Sequence, residues 1–97
     1  MNVRSAWLRI ASNHPALAGH FPGQPIVPGA LLLDEALHAI DASETAWHIA
    51  HLKFHRIVRP GEALRLECSA QPGGALRIEL RAEEALVMSG LIERRPA

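Results

Sequence analysis

One stretch of this sequence carries residues whose types and spacing can do chemistry. Gly19-His20-Phe21-Pro22-Gly23-Gln24-Pro25-Ile26-Val27-Pro28-Gly29 is followed, fourteen residues after His20, by Asp34. The prolines stiffen the loop that holds His20. An apolar helical pattern begins at Pro28-Gly29-Ala30, so free backbone N–H groups stand at that helix N-terminus, and Asp34 lies about one turn further along. A base, an oxyanion site and an acid are the parts needed to abstract a proton α to a carbonyl.

The elements that must position these groups follow from periodicity. Residues 13–28 hold four of the seven prolines and two of the seven glycines, a density that no regular element survives. His14 shapes this loop. Residues 30–42 are the strong helical signal: Leu33, Ala36, Leu37 and Ile40 make the i, i+3, i+4, i+7 stripe. The other faces are also apolar apart from a strip of Asp34, His38 and Asp41 with nearby Glu35, so burial on most sides is expected. Strands are expected over 5–11, 47–55, 63–70, 76–81 and 85–92, with turns at Pro60-Gly61 and Pro72-Gly73-Gly74. Leu64, Leu66 and Cys68 alternate with Arg65 and Glu67, and Leu76, Ile78 and Leu80 with Arg77, Glu79 and Arg81. The charged residues read as a solvated face with cross-strand pairs, and Cys68 as core. Residues 85–92 are apolar on both faces and belong at the centre of a sheet or in an interface. The order β–loop–α–β–β–β–β gives an α+β domain over residues 1–97, one antiparallel sheet curling around one helix, with a frayed tail at 94–97.

Composition narrows the function. Ten Lys plus Arg balance ten Asp plus Glu in 97 residues, which argues against a nucleic-acid binder or a polybasic membrane-surface protein. The longest apolar run, residues 30–33, is far short of the roughly 20 residues a membrane span needs. An N-terminus without an apolar h-region and a lone Cys68 make the cytoplasm the expected location. His48, His51 and His55 would share a face on a helix, but on a strand 51 and 55 lie about 13 Å apart, so no metal site is expected.

His-Phe-Pro-Gly-x-Pro-Ile-x-Pro-Gly running into an apolar helix resembles the active-site loop and central helix of the 3-hydroxyacyl-(acyl-carrier-protein) dehydratases, which have the hotdog fold. Lys53-Phe54-His55-Arg56-Ile57-Val58-Arg59-Pro60-Gly61-Glu62 resembles a second stretch of that family, roughly Lys-Phe-x-x-x-Val-x-Pro-Gly-Asp. The resemblance implies a catalytic His at His20, an oxyanion-binding amide at Gly29 and the acid at Asp34. Where the family commonly carries Glu, this chain has the shorter Asp, and His38 stands where the better-known members tend to have Gln. Leu-Leu-Asp at the helix start is similar to the small dehydratase-like branch associated with aryl-polyene lipids. Substrate contacts are implied at Phe21, Pro28, Ala30 and His38, with His38 on the same helix face as Asp34. A dimer is implied, homodimeric or higher, with base and acid from different subunits; the implied partner is an acidic acyl carrier protein docking on Lys53, Arg56 and Arg59. No cofactor and no metal are implied.

The implied reaction is dehydration of a 3-hydroxyacyl thioester to the trans-2-enoyl thioester, with Asp34 donating to the departing hydroxyl if apolar surroundings keep it protonated. Two other readings stand beside it. A hotdog thioesterase would use a carboxylate-activated water, against which the His-Phe-Pro-Gly loop speaks. A non-catalytic acyl-carrier-binding or dimerisation module would keep the loop for shape alone.

Overall fold

The computed structural model describes residues 3–15, 26–40 and 46–94; His20 and Phe21 lie outside the described residues. Five antiparallel strands, β1 (Val3–Leu8), β2 (Trp47–Phe54), β3 (Leu64–Ala70), β4 (Leu76–Ala82) and β5 (Ala85–Arg94), form one sheet in the order β1-β3-β4-β5-β2. The helix α1 (Gly29–Ile40) packs on one face of this sheet. This is the α+β hotdog arrangement that the resemblance implies.

The hairpin of β3 and β4 follows simple alternation. Leu64, Leu66 and Cys68 are buried on one strand and Ile78, Leu80 and Ala82 on the other. Pro72–Gly74 joins them in a tight turn where Gly73 and Gly74 take φ of 83° and 90°, values that L side chains rarely adopt. The outward charges pair across the strands only on the diagonal. Register sets Arg65 opposite Arg81 and Glu67 opposite Glu79, like against like. Attraction runs instead along the strands, Arg65 to Glu67 at 3.1 Å and Arg81 to Glu79 at 3.5 Å, and diagonally from Arg81 to Glu67 at 3.7 Å.

The β5 strand lies between β4 and β2, which accounts for its two-sided apolar character. Its register with β4 shifts so that Leu80 faces Met88 and Arg81 faces Leu86. The extra residue is Val87, and both Val87 and Met88 are buried. A second irregularity leaves Ala50 as the extra residue of β2. Trp47, Ile49, Leu52 and Phe54 therefore share the inner face, while His48, His51 and Lys53 face outward. Gly90, opposite Leu52, accommodates this bulge: a Cβ there would stand 2.7 Å from the His51 carbonyl oxygen. Arg94, expected in a frayed tail, pairs with Trp47 and sets its guanidinium 4.8 Å from the ring centroid. The first strand is shifted toward the N-terminus, ending at Leu8 rather than residue 11.

Helix α1 starts where Pro28 can no longer be helical itself but can accept: its carbonyl takes the N–H of Leu31 at 3.1 Å and of Leu32 at 3.2 Å. Ala30, Leu31, Leu32 and Leu33 are good helix formers that carry it forward. Burial is narrower than expected. Only Leu32 and Ala36 of α1 are buried, in a core with Val27, Val58, Leu64 and Leu80, while Ala30, Asp34, His38 and Ala39 are exposed. Leu31, Leu33 and Leu37 are partly buried and pack against the same core. No described helix is long and apolar enough to cross a membrane.

Candidate functional site

Beside the N-terminus of α1 lies an open cleft of about 490 Å³, lined by Val27, Gly29, Leu32, Phe54, His55, Arg56 and Ile57. Three ties hold it. The Val27 N–H donates to the Val58 carbonyl at 2.8 Å, pinning the segment before the helix to the segment after β2. Arg56 reaches Glu62 through both guanidinium nitrogens, at 2.8 and 3.4 Å, and donates to the Ile57 carbonyl at 2.7 Å. Glu62 Oε2, which also takes the longer Arg56 bond, accepts the Arg59 N–H at 2.7 Å, and the Gly61 N–H donates to the Ile10 carbonyl at 2.8 Å. Residues 55–62 are thereby a clasp rather than a free loop.

Gly29 is the closest approach in the cleft. A Cβ on it would stand 2.8 Å from Phe54 Cζ, so any larger residue displaces the ring. Here the glycine serves space, letting an aromatic wall lie against the first helical residue. The amides of Gly29 and Ala30, first two of the helix, have no intrahelical acceptor, and the helix dipole adds partial positive charge at that end. Phe54 and Ile57 are 46% and 62% exposed, two of the three large apolar side chains that stand open to solvent among the described residues. A polar N–H point beside exposed apolar walls suits a carbonyl oxygen with an apolar chain attached.

Asp34 does not line this cleft. It lies five residues past Gly29, about 140° around the helix axis, in an exposed row with Ala30 and His38 at i, i+4 spacing. Gly29 and Asp34 of one chain thus face different spaces. The apolar surroundings that a proton-donating Asp34 calls for must come from whatever covers this row. Next to Asp34, Glu35 holds His14 at 3.7 Å, an ion pair when His14 is protonated, and ties the start of the loop to the helix. Pro28 is half-buried and serves the helix start. Of the proposed docking charges, Lys53 and Arg59 are exposed, whereas the guanidinium of Arg56 is committed to Glu62. Phe54 and Ile57 were not singled out from sequence as site residues; the signal lay in the Lys53-Phe54 stretch, whose place against Gly29 only the fold reveals.

The element order and sheet topology define a hotdog-fold protein with an open cleft at its helix N-terminus. The solved dehydratase heterocomplex ApeI:P from Xenorhabdus doucetiae superposes with a TM-score of 0.79 over 97% of this chain and 88% of that one, at 22% identity. The fluoroacetyl-CoA-specific thioesterase FlK shares the fold as well, with a TM-score of 0.66 over 96% of this chain and 90% of that one, at 9% identity. Fold alone therefore does not separate the chemistries. Sequence does separate the families: residues 2–91 match the family model described as ApeI-like, ApeI dehydratase, and the chain belongs to that family. The 3-hydroxyacyl-(acyl-carrier-protein) dehydratase FabZ of Chloroflexus aggregans is 39% identical, the match covering 60% of this chain and 48% of the relative. The chain spans about half the length of the curated relatives it matches.

Proposed function

We propose that this chain dehydrates a 3-hydroxyacyl-(acyl-carrier-protein) thioester to the trans-2-enoyl thioester in fatty-acid-like or aryl-polyene lipid synthesis. The observation that carries the reading is the Gly29 amide, set beside exposed apolar walls directly after the His20 loop. In the proposed step the thioester oxygen accepts from the Gly29 N–H, which favours charge developing there as His20 removes the C2 proton. The C2–H electron pair becomes the C2=C3 bond, the C3–O bond breaks, and Asp34 protonates the departing hydroxyl to give water. His20 then returns its proton to Asp34, directly or through solvent, to complete the cycle. Phe21, Pro28, Ala30 and His38 are the proposed substrate contacts, His38 also orienting Asp34.

Because Gly29 and Asp34 face different spaces in one chain, the working unit is a dimer in which each site takes its base from one subunit and its acid from the other. Each protomer contributes one hotdog unit over residues 1–97. The relative from Xenorhabdus is by name a heterocomplex, so light scattering of the chain alone distinguishes a homodimer from a unit completed by a different subunit. The partner in turnover is an acyl carrier protein meeting Lys53, Arg56 and Arg59, and the compartment is the cytoplasm, where a chain with a single cysteine, the buried Cys68, is at home. A thioesterase would use a carboxylate-activated water, and the His20-Phe21-Pro22-Gly23 loop speaks against it. Mass spectrometry of a 3-hydroxyacyl carrier substrate tests the reading through loss of water. His20→Ala is expected to cut the rate by about 10²–10⁴-fold; an unchanged rate overturns the assignment, and release of free carrier thiol in place of the enoyl product selects the thioesterase.

A further inference from the structure

The bulge at Ala50 builds a surface that sequence alternation would not. Beyond it, His51 and Lys53 join His48 on the outward face of β2, opposite Leu91, Ser89 and Glu93 of β5. Uninterrupted alternation from His48 would turn His51 and Lys53 to the inner face. One residue past the strand, His55 meets the same face, its Nε2 2.8 Å from Ser89 Oγ. All four side chains are exposed, and the row ends at the cleft, which His55 also lines. Three imidazoles in a row invite a metal reading, but among the described residues no three His, Cys, Asp or Glu side chains converge to hold an ion.

The charges facing this row are few. On β5 there is Glu93, opposite His48. On β4, the next strand across, Arg77 stands opposite Leu91 and Glu79 opposite Ser89, with Glu79 held by Arg81 at 3.5 Å. Below the row, Glu62 is held by Arg56. Each imidazole that takes up a proton therefore adds net positive charge to a face that already carries Lys53 and Arg77.

We propose that this row docks an acidic carrier protein, and that its imidazoles make docking tighten as pH falls. The proposal rests on the dehydratase reading for the identity of the partner. It stands on charge complementarity and on continuity between the row and the cleft the acyl group must enter. Imidazole is the side chain that changes charge between about pH 5 and pH 8. An anionic partner favours its protonated form, so docking takes up protons and affinity rises as pH falls.

The test compares the parent protein with the double variant His48→Gln, His51→Gln, both positions being outward-facing and outside the cleft. Calorimetry measures binding of a holo acyl carrier protein between about pH 8 and about pH 6. The parent is expected to bind roughly three- to tenfold tighter at the lower pH, and the variant to lose most of that gain. The variant's KM for carrier-borne substrate rises, while its turnover of the same acyl group on free pantetheine, which has no carrier to dock, is unchanged. Equal pH dependence in the two proteins, affinity that weakens as pH falls, or no carrier binding at all overturns the proposal. Intact pH-dependent binding with no turnover of either substrate upholds docking and sinks the dehydratase reading instead.

Discussion

The β3–β4 hairpin and the β2–β5 pair are built from the same kind of residues by opposite means. In the hairpin, alternation is unbroken from Leu64 to Ala70 and from Leu76 to Ala82, and the register runs without a shift. At the other end of the sheet, Ala50 is an extra residue of β2, and the side chains that change face because of it include Phe54 at the cleft and the outward His51 and Lys53. Regular pairing buries the core with few demands on neighbouring elements. Bulges twist and re-aim strands, which is why they recur next to sites. In this protein the unbroken hairpin contributes core alone, while the Ala50 break in β2 re-aims side chains beside the candidate site.

Two substitutions sharpen that division, one at each end. Leu80 is fully buried between Leu66 and Met88, and Leu80→Ala is expected to cost about 2–5 kcal/mol through lost burial plus the cavity left behind. Chemical denaturation reads the loss directly. While the variant remains folded, its pH-dependent carrier binding is expected to match the parent, because nothing in the outward row depends on that side chain. Gly90→Ala is the counterpart. Its new Cβ meets a backbone oxygen rather than a flexible side-chain end, so β2 must move, at an expected cost of about 1–3 kcal/mol. Here the carrier-binding pH dependence is expected to change with stability, since the same bulge aims His51 and Lys53. If Gly90→Ala left binding untouched and Leu80→Ala altered it, the division between the two regions would be wrong.

These contrasts also mark what the residues disclosed before folding. Faces in β3 and β4 were legible because alternation there is uninterrupted, and the helix start was legible because Pro28-Gly29 precedes an apolar run. Register was not: shifting a strand by two residues keeps every side chain on its face, so Arg65 could meet Arg81 or Glu79 with the same pattern, and the Pro72–Gly74 turn decides. Bulges were invisible because they depend on how closely a neighbour approaches, here the fit of Gly90 against the His51 carbonyl. Of the candidate site, His20, Gly29 and Asp34 stood out by type and spacing, yet nothing in their spacing reveals that Asp34 turns away from the cleft. That follows from how α1 sits on the sheet: Leu32 and Ala36 are fully covered and Leu33, Leu37 and Ile40 pack partly buried against the core, which leaves Ala30, Asp34 and His38 on the open side.

The smallest expected effect probes the outward charges of the regular hairpin. Like charges directly opposite on neighbouring strands should repel, which would make Arg65 opposite Arg81 and Glu67 opposite Glu79 a liability in the stable half of the sheet. Each arginine, however, has a glutamate within reach: Arg65 has Glu67 at 3.1 Å, and Arg81 lies between Glu67 and Glu79. Attraction along the strand and across the diagonal then offsets repulsion straight across, and solvent screens both, because Arg65 is 44% exposed and Glu67 30%. Arg65→Gln removes one term of each sign, so the expected change in stability is under about 0.5 kcal/mol in either direction. A denaturation midpoint that moves by more than that would mean the cluster acts as a cooperative network, and the regular half of the sheet would then depend on its charges as well as on alternation.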